Sequence, residues 1–246
     1  MTIEGDEDLV GLARAGRVVA EARDAMVAAV APGVSTGELD AIARVVMRRC
    51  GARSAPRLTY GFPGWTCISV NDEAAHGVPA RWRLLSEGDI VNLDVSVELD
   101  GYFADAGVSV PVGEVSPEAS HLLVATRLAQ AEATATATAG RRLGDIGRAV
   151  EHRARRSGFS VITDLFGHGI GRALHESPAV PSFDDDSAVV LWEGLVLAIE
   201  PFLTAGAPWV VQSPDGWTLR SGDSSLVAQH EHTVVVTAAE ALVLTA

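Results

Sequence analysis

The chain has 246 residues, 48% of them hydrophobic, enough to bury a full core without disulfide or metal staples. Its formal charge is −13 and all 19 basic residues are arginine. The net charge repels phosphate backbones and so argues against direct nucleic-acid binding, while the missing lysine excludes Schiff-base catalysis, a pyridoxal-phosphate anchor and a P-loop. Carboxylates, imidazoles, hydroxyls or metals remain for any chemistry. The dense basic runs, Arg141-Arg142 and Arg153 to Arg156, read as solvated helix faces. Cys50 and Cys67 are too few for a disulfide framework and lack zinc-knuckle spacing, so a reducing compartment, the cytoplasm, is expected. The start, Met1-Thr-Ile-Glu-Gly-Asp-Glu-Asp, is acidic where a signal peptide is basic and then apolar. No apolar run reaches spanning length, so no membrane association is expected.

Apolar residues on a helical period predict helices over 8–30 and 37–50, joined by Ala31-Pro-Gly-Val-Ser-Thr-Gly. Ser35 followed by Glu38 is a capping-box pattern that starts the second helix. The overlapping Gly33-Val-Ser-Thr-Gly37 matches the G-x-S-x-G of serine hydrolases, but a nucleophile elbow follows a strand and this segment follows a helix and a turn. From residue 66 the texture changes to strands: 66–70, 89–99 and 102–112, the last two joined by Asp100-Gly101, a two-residue hairpin signal. Helices over 117–139 and 143–158 follow, then strands near 160–163, 195–203, 225–228 and 231–237. The class is α+β.

The second half repeats the order of the first. An offset of 107 places Gly33, Gly37 and Gly51 on Gly140, Gly144 and Gly158, and Glu38-Leu39 on Asp145-Ile146. A single domain over 1–246 is expected, with pseudo-symmetric halves of roughly 1–115 and 116–246 and a ligand site between them.

Asp94 interrupts the apolar strand Val91-Asn-Leu-Asp-Val-Ser-Val, where an unpartnered carboxylate is costly. A tight turn at Asp100-Gly101 sets Leu99 opposite Tyr102 and Ser96 opposite Asp105, which makes Asp94 and Asp105 diagonal neighbours on one face. Two converging carboxylates share a proton or a metal. His168 in Gly167-His-Gly-Ile-Gly, Glu200 in Leu197-Ala-Ile-Glu-Pro and Glu231 in His230-Glu-His-Thr-Val are likewise ionisable groups in apolar company. One imidazole and four carboxylates can hold two divalent ions with bridging ligands. Strand alternation puts Glu231 on one face and His230 and His232 on the other, and spacing leaves open which face lines the site.

With these residues in view, the chain resembles the type I methionine aminopeptidases, of the pita-bread fold shared with prolidases and creatinase. The resemblance runs through Leu12-Ala-Arg-Ala-Gly-Arg, Pro32-Gly-Val-Ser-Thr-Gly-Glu-Leu-Asp, Cys67-Ile-Ser-Val-Asn, His76-Gly-Val-Pro and Gly88-Asp-Ile-Val-Asn-Leu-Asp-Val. It continues in Gly167-His-Gly-Ile-Gly-Arg, Ile199-Glu-Pro and Glu231-His-Thr-Val-Val-Val. It implies a pseudo-two-fold repeat of helices on a curved, mostly antiparallel sheet. It implies metal ligands at Asp94, Asp105, His168, Glu200 and Glu231, with His230 and His232 facing away. It also implies two divalent ions (manganese, iron or cobalt, with zinc a further candidate) that activate water against the first peptide bond. Glu200 matches the proton-transferring ligand, His175 the imidazole at the developing oxyanion and His76 the one at the scissile nitrogen. A methionine pocket falls on Thr59, Phe62, Cys67, Leu174 and Trp217.

Three positions depart from the family pattern: Thr59 where tyrosine is common, Leu174 where phenylalanine is common, and Ala106 in place of the threonine after the second aspartate. A wider, less aromatic pocket with altered side-chain or inhibitor tolerance is expected, and the alanine removes a hydroxyl beside the metals. The implied substrates are N-terminal methionyl peptides and nascent chains, the ribosome being one place to meet them, and the implied state is a monomer. Two other readings share the fold. Xaa-Pro aminopeptidases and prolidases keep the same ligands but usually carry an N-terminal domain, whereas here the pattern starts within twenty residues of Met1. Non-catalytic pita-bread binding modules generally lose ligands, and all five positions here retain ligating side chains.

Overall fold

The computed structural model describes residues 1–246. Five helices, α1 (Asp6–Val27), α2 (Thr36–Arg49), α3 (Ala55–Tyr60), α4 (Pro117–Thr136) and α5 (Leu143–Arg156), accompany four small sheets whose strand pairs are all antiparallel. The four-stranded sheet is built on the hairpin Ile90–Leu99 and Tyr102–Pro111. Its register pairs Leu99 with Tyr102 and Ser96 with Asp105, as the two-residue turn requires. Asp100 and Gly101 take φ of 52° and 83°, the left-handed values such a turn needs. In the five-stranded sheet, Val196–Ile199 lies between Phe166–Gly169 and His232–Val235.

The two halves repeat in hydrogen bonds as well as in element order. In the first, Gly33 N donates to Leu85 O, Leu85 N to Val34 O and Thr36 N to Arg83 O. In the second, Gly140 N donates to Leu191 O, Leu191 N to Arg141 O and Leu143 N to Val189 O. Each helix-start residue is also held by a carboxylate three positions on: Ser35 N donates to Glu38 at 2.8 Å and Arg142 N to Asp145 at 3.1 Å. Ser35 Oγ accepts from Glu38 N at 3.2 Å, completing the capping box and committing this serine to a structural role.

Helices α1 and α2 pack Leu12, Met26, Leu39 and Met47 against Leu93 and Val95 of the first sheet. Helices α4 and α5 pack Leu122, Ile146 and Val150 against Leu197 and Ile199 of the second. Each such fully buried side chain contributes about 1.5–3 kcal/mol. The two cores meet where the hairpin abuts the final strands: Glu231 N donates to Gly107 O at 2.8 Å, and Asp105 N to Thr233 Oγ1 at 2.9 Å.

Several boundaries differ from the expected ones, each for a local reason. Helix α1 ends at Val27, ahead of the Pro32-Gly33 turn, and α4 ends at Thr136, after which Thr138 bridges Thr237. The strand expected over 195–203 is two strands, Val196–Ile199 and Phe202–Thr204. Pro201 between them has no N–H to continue the ladder. Likewise Val227–Gln229 and His232–Val235 leave Glu231 in the break between two strands. Both glutamates of the candidate site therefore sit at interruptions, where a carboxylate turns inward without displacing a core side chain.

Candidate metal centre

The hairpin carries Asp94 and Asp105, the Phe166–Gly169 strand carries His168, and the two strand breaks carry Glu200 and Glu231. Asp94 lies opposite Gly107, two residues beyond Asp105, so both aspartates project from one face, with carboxyls within hydrogen-bonding reach of each other. One ligating atom each from Asp105, His168 and Glu231 lies within 4.8 Å of the others. His168 Nε2 is 3.4 Å from Glu200 Oε1. The five residues taken from the sequence thus come together at one point.

Their chemistry fits divalent cations. Asp105 Oδ1 and Glu231 Oε1 are buried without a hydrogen-bond partner, an arrangement that burial otherwise penalises heavily. Burial pushes the Asp94 carboxyl up to about 7. Burial, reinforced by the neighbouring carboxylates, also holds Asp105, Glu200 and Glu231 well above the usual range. Four carboxylates that repel one another around a neutral imidazole are stabilised when cations sit between them. Burial drives His168 down to about 3, and its Nδ1 lies 2.9 Å from Gly169 O. The carbonyl can only accept, so the proton is on Nδ1 and Nε2 presents a lone pair. That is the form in which histidine binds metal.

Two buried amides that the sequence reading did not single out support the cluster. Gln229 Nε2 donates to Glu231 Oε2 at 2.9 Å, and the same side chain bonds Glu200. Asn92 Nδ2 donates to Gln229 Oε1 at 2.7 Å. Gly107 makes room for them, because a Cβ there would stand 2.0 Å from Gln229 Oε1.

Asp94, Asp105, His168 and Glu200 line a cavity of about 370 Å³. Its walls include Phe62, Cys67, Leu174 and Trp217, with Phe62 and Trp217 edge to face at 5.2 Å. Cys67 pairs with Asp94 across the sheet, and its thiol is raised well above the ordinary value by burial and by the carboxylates. His76 and His175 stand at the wall. His76 holds φ of 56°, and Gly77 beside it runs so close to Ile68 O that a Cβ would come within 2.1 Å. Few non-glycine residues adopt that left-handed backbone. Burial lowers both imidazoles below the ordinary value.

Thr59 does not line the cavity: it is exposed on α3, and Tyr60 and Phe62 occupy the wall instead. The left-handed Gly61 that ends α3 turns the chain between them. Tyr60 had no local signal, since a tyrosine in a Gly-Phe-Pro turn is not anomalous, and its partner His175 lies 115 residues away. His230 and His232 are off the cavity wall. Their rings pack perpendicular at 5.4 Å, His232 Nδ1 bonds Thr245 Oγ1 at 2.9 Å, and burial lowers both to about 4.

Residues 11–238 match metallopeptidase family M24. Methionine aminopeptidase 2 of Bacillus subtilis is 44% identical over 247 residues, spanning 100% of this chain and 99% of that protein. Methionine aminopeptidase of Aquifex aeolicus is 38% identical over 256 residues, again spanning 100% and 99%. The crystal structure of methionine aminopeptidase from Thermotoga maritima matches with a TM-score of 0.97 at 34% identity, covering 100% of this chain and 99% of that one. The prolidase from Pyrococcus furiosus has a TM-score of 0.77 at 22% identity; this chain is covered fully and 65% of that one, a likeness of fold alone. With its pita-bread architecture and its carboxylate and histidine cluster, this chain belongs to metallopeptidase family M24 and to the methionine aminopeptidases within it.

Proposed function

We propose that the chain removes N-terminal methionine from peptides and nascent proteins in the cytoplasm, with two divalent cations held by Asp94, Asp105, His168, Glu200 and Glu231. The observation that carries this is the convergence of Asp105, His168 and Glu231, two of them with orphaned buried oxygens, beside a cavity whose wall includes Phe62, Leu174 and Trp217. Manganese, iron or cobalt suits a site of four carboxylates and one imidazole better than a closed structural zinc site does, and zinc remains a candidate. Bound there, such cations lower the pKa of water and polarise a carbonyl.

The protein's own groups account for the rest. Phe62, Cys67, Leu174 and Trp217 take the methionine side chain out of water, which seats the first peptide bond over the carboxylates. Glu200 abuts His168 at 3.4 Å and, in its ionised form, accepts a proton from the attacking water and returns it to the leaving amine. His175 donates to the carbonyl oxygen as negative charge develops there. His76 contacts the scissile nitrogen. Both imidazoles stay neutral at neutral pH because burial lowers them, so each has one donor and one acceptor nitrogen.

Relatives matched over their full length at 38–44% identity carry the methionine aminopeptidase name, whereas the prolidase likeness is at 22% identity. This favours methionyl over Xaa-Pro substrates. Comparing hydrolysis of Met-Ala-Ser with that of an Ala-Pro peptide tests the choice. Release of methionine from the first, with the second resistant, is the expected outcome; preferential cleavage before proline would replace this reading with the prolidase-like one.

A further inference from the structure

The imidazoles of His168 and His175 lie 4.2 Å apart, centre to centre, yet their Nδ1 atoms meet chemically different partners. His168 Nδ1 faces the Gly169 carbonyl, which only accepts, so its Nε2 is a lone pair. His175 Nδ1 faces the Tyr60 hydroxyl at 2.5 Å, with the rings tilted 45° and their centres 5.6 Å apart. A phenol is a better donor than a neutral imidazole N–H, and an imidazole nitrogen a better acceptor than a phenol oxygen. We propose that Tyr60 is a positioning residue whose hydroxyl donates to Nδ1 of His175, keeping the imidazole proton on Nε2, the nitrogen left to face a substrate carbonyl oxygen. This rests on the reading of His175 as the oxyanion donor.

The surroundings give the contact a fixed geometry. Gly61, with φ of 73°, ends α3 by donating to Arg57 O and aims Tyr60 across the cavity mouth. On the other side, Glu176 Oε1 accepts from Arg172 N at 2.7 Å and from Ala173 N at 2.8 Å, which braces the loop that carries Leu174 and His175. Tyr60 is 51% exposed, so water could satisfy its hydroxyl. Burial does not force the bond to His175. The result is a pair of adjacent histidines with opposite tautomers: one offers a lone pair toward the carboxylates, the other an N–H toward the substrate. The tautomers are set by a carbonyl in one case and a hydroxyl in the other. Without the hydroxyl, His175 is free to carry its proton on Nδ1, and in that form Nε2 repels a developing oxyanion.

The test uses the full chain labelled with 15N-histidine, as wild type and as Tyr60→Phe, with His175→Gln to assign the signal. Long-range 1H–15N correlation of the metal-free protein should show His175 protonated on Nε2 in the wild type and shifted toward Nδ1 in Tyr60→Phe. With metal restored, the Phe variant should cleave Met-Ala-Ser with kcat reduced about tenfold and KM within about twofold, as loss of an oriented donor requires. An Nδ1-protonated ring in the wild type overturns the assignment. So does a Phe variant in which either the tautomer or kcat stays at the wild-type level. If the wild type cleaves no methionyl peptide, the functional reading fails, and the tautomers of the two proteins alone decide the role of Tyr60.

Discussion

Gln229 donates to Glu231 at 2.9 Å while its own carbonyl oxygen accepts from Asn92 at 2.7 Å, so a carboxylate of the candidate metal centre is oriented by a chain of buried amides. Groups that orient ligands in this way typically account for about 10–100-fold in metal affinity. Gln229→Met keeps the side chain's length and removes both donors. Titration calorimetry with manganese should show affinity lower by about that factor. An unchanged affinity would leave the amide without a part in the site.

The raised carboxyls lead to a pH dependence with a definite sign. In the metal-free fold, Asp94 is raised to about 7, and Asp105, Glu200 and Glu231 are raised as well, whereas an unfolded chain ionises near its ordinary values. Groups raised on folding contribute stability that is fully present below the unfolded pKa. It is lost as pH climbs from the ordinary carboxylate range through the folded pKa values, about 7 for Asp94. Metal binding requires the ionised forms and reverses the trend. The increase in Tm on adding manganese should therefore be larger at pH 8 than at pH 5.5. Comparing with and without metal at each pH cancels groups elsewhere, and an equal or larger increase at pH 5.5 would contradict the account.

The internal repeat permits a matched pair of substitutions. A Cβ at Gly37 would stand 2.8 Å from Arg81 N, whereas at the equivalent Gly144 the nearest atom is Ser187 N at 3.3 Å. Gly37→Ala should cost about 1–3 kcal/mol through overpacking. At Gly144 the alanine's entropic advantage of about 0.5–1 kcal/mol offsets most of a smaller strain. Urea unfolding of the two variants would check the order, which an equal loss would refute.

The aspartate pair was legible because two constraints met in one short segment: strand alternation decides the face, and Asp100-Gly101 decides the register. The glutamates were visible as anomalies, acids in apolar company, yet alternation could not tell Glu231 from His230 and His232. The reason is physical: alternation puts Glu231 and the two histidines on opposite faces but does not say which face lines the site, and only the distant Asp105 and His168 decide that. Tyr60, Asn92 and Gln229 were illegible for another reason. Each is an ordinary residue for its local segment and gains meaning only from a distant partner, 115 residues away for Tyr60 and 137 between Asn92 and Gln229. Thr59 was assigned to the pocket through resemblance alone, and the turn of α3 into Gly61 carries its neighbour there instead.

Leu174, buried at 3% exposure, gives the pocket an aliphatic wall beside Phe62 and Trp217. Such a wall tolerates branched side chains better than an aromatic one. Leu174→Phe should narrow the pocket and lower kcat/KM for a leucyl peptide about tenfold relative to a methionyl one, the range that a methylene or two commands in an apolar pocket. Turnover of Met-, Leu- and norleucine-peptides by both proteins would measure it. A wild type already as selective as the Phe variant would show that Leu174 does not set the range.

The most direct test of the central claim is methionine release from Met-Ala-Ser by chelator-treated protein as manganese is added back, with Glu231→Gln run alongside. The account predicts no activity without metal, recovery that saturates as the site fills, and little or none in Glu231→Gln. Activity indifferent to chelation, or undiminished in Glu231→Gln, would contradict a metal centre built on these carboxylates.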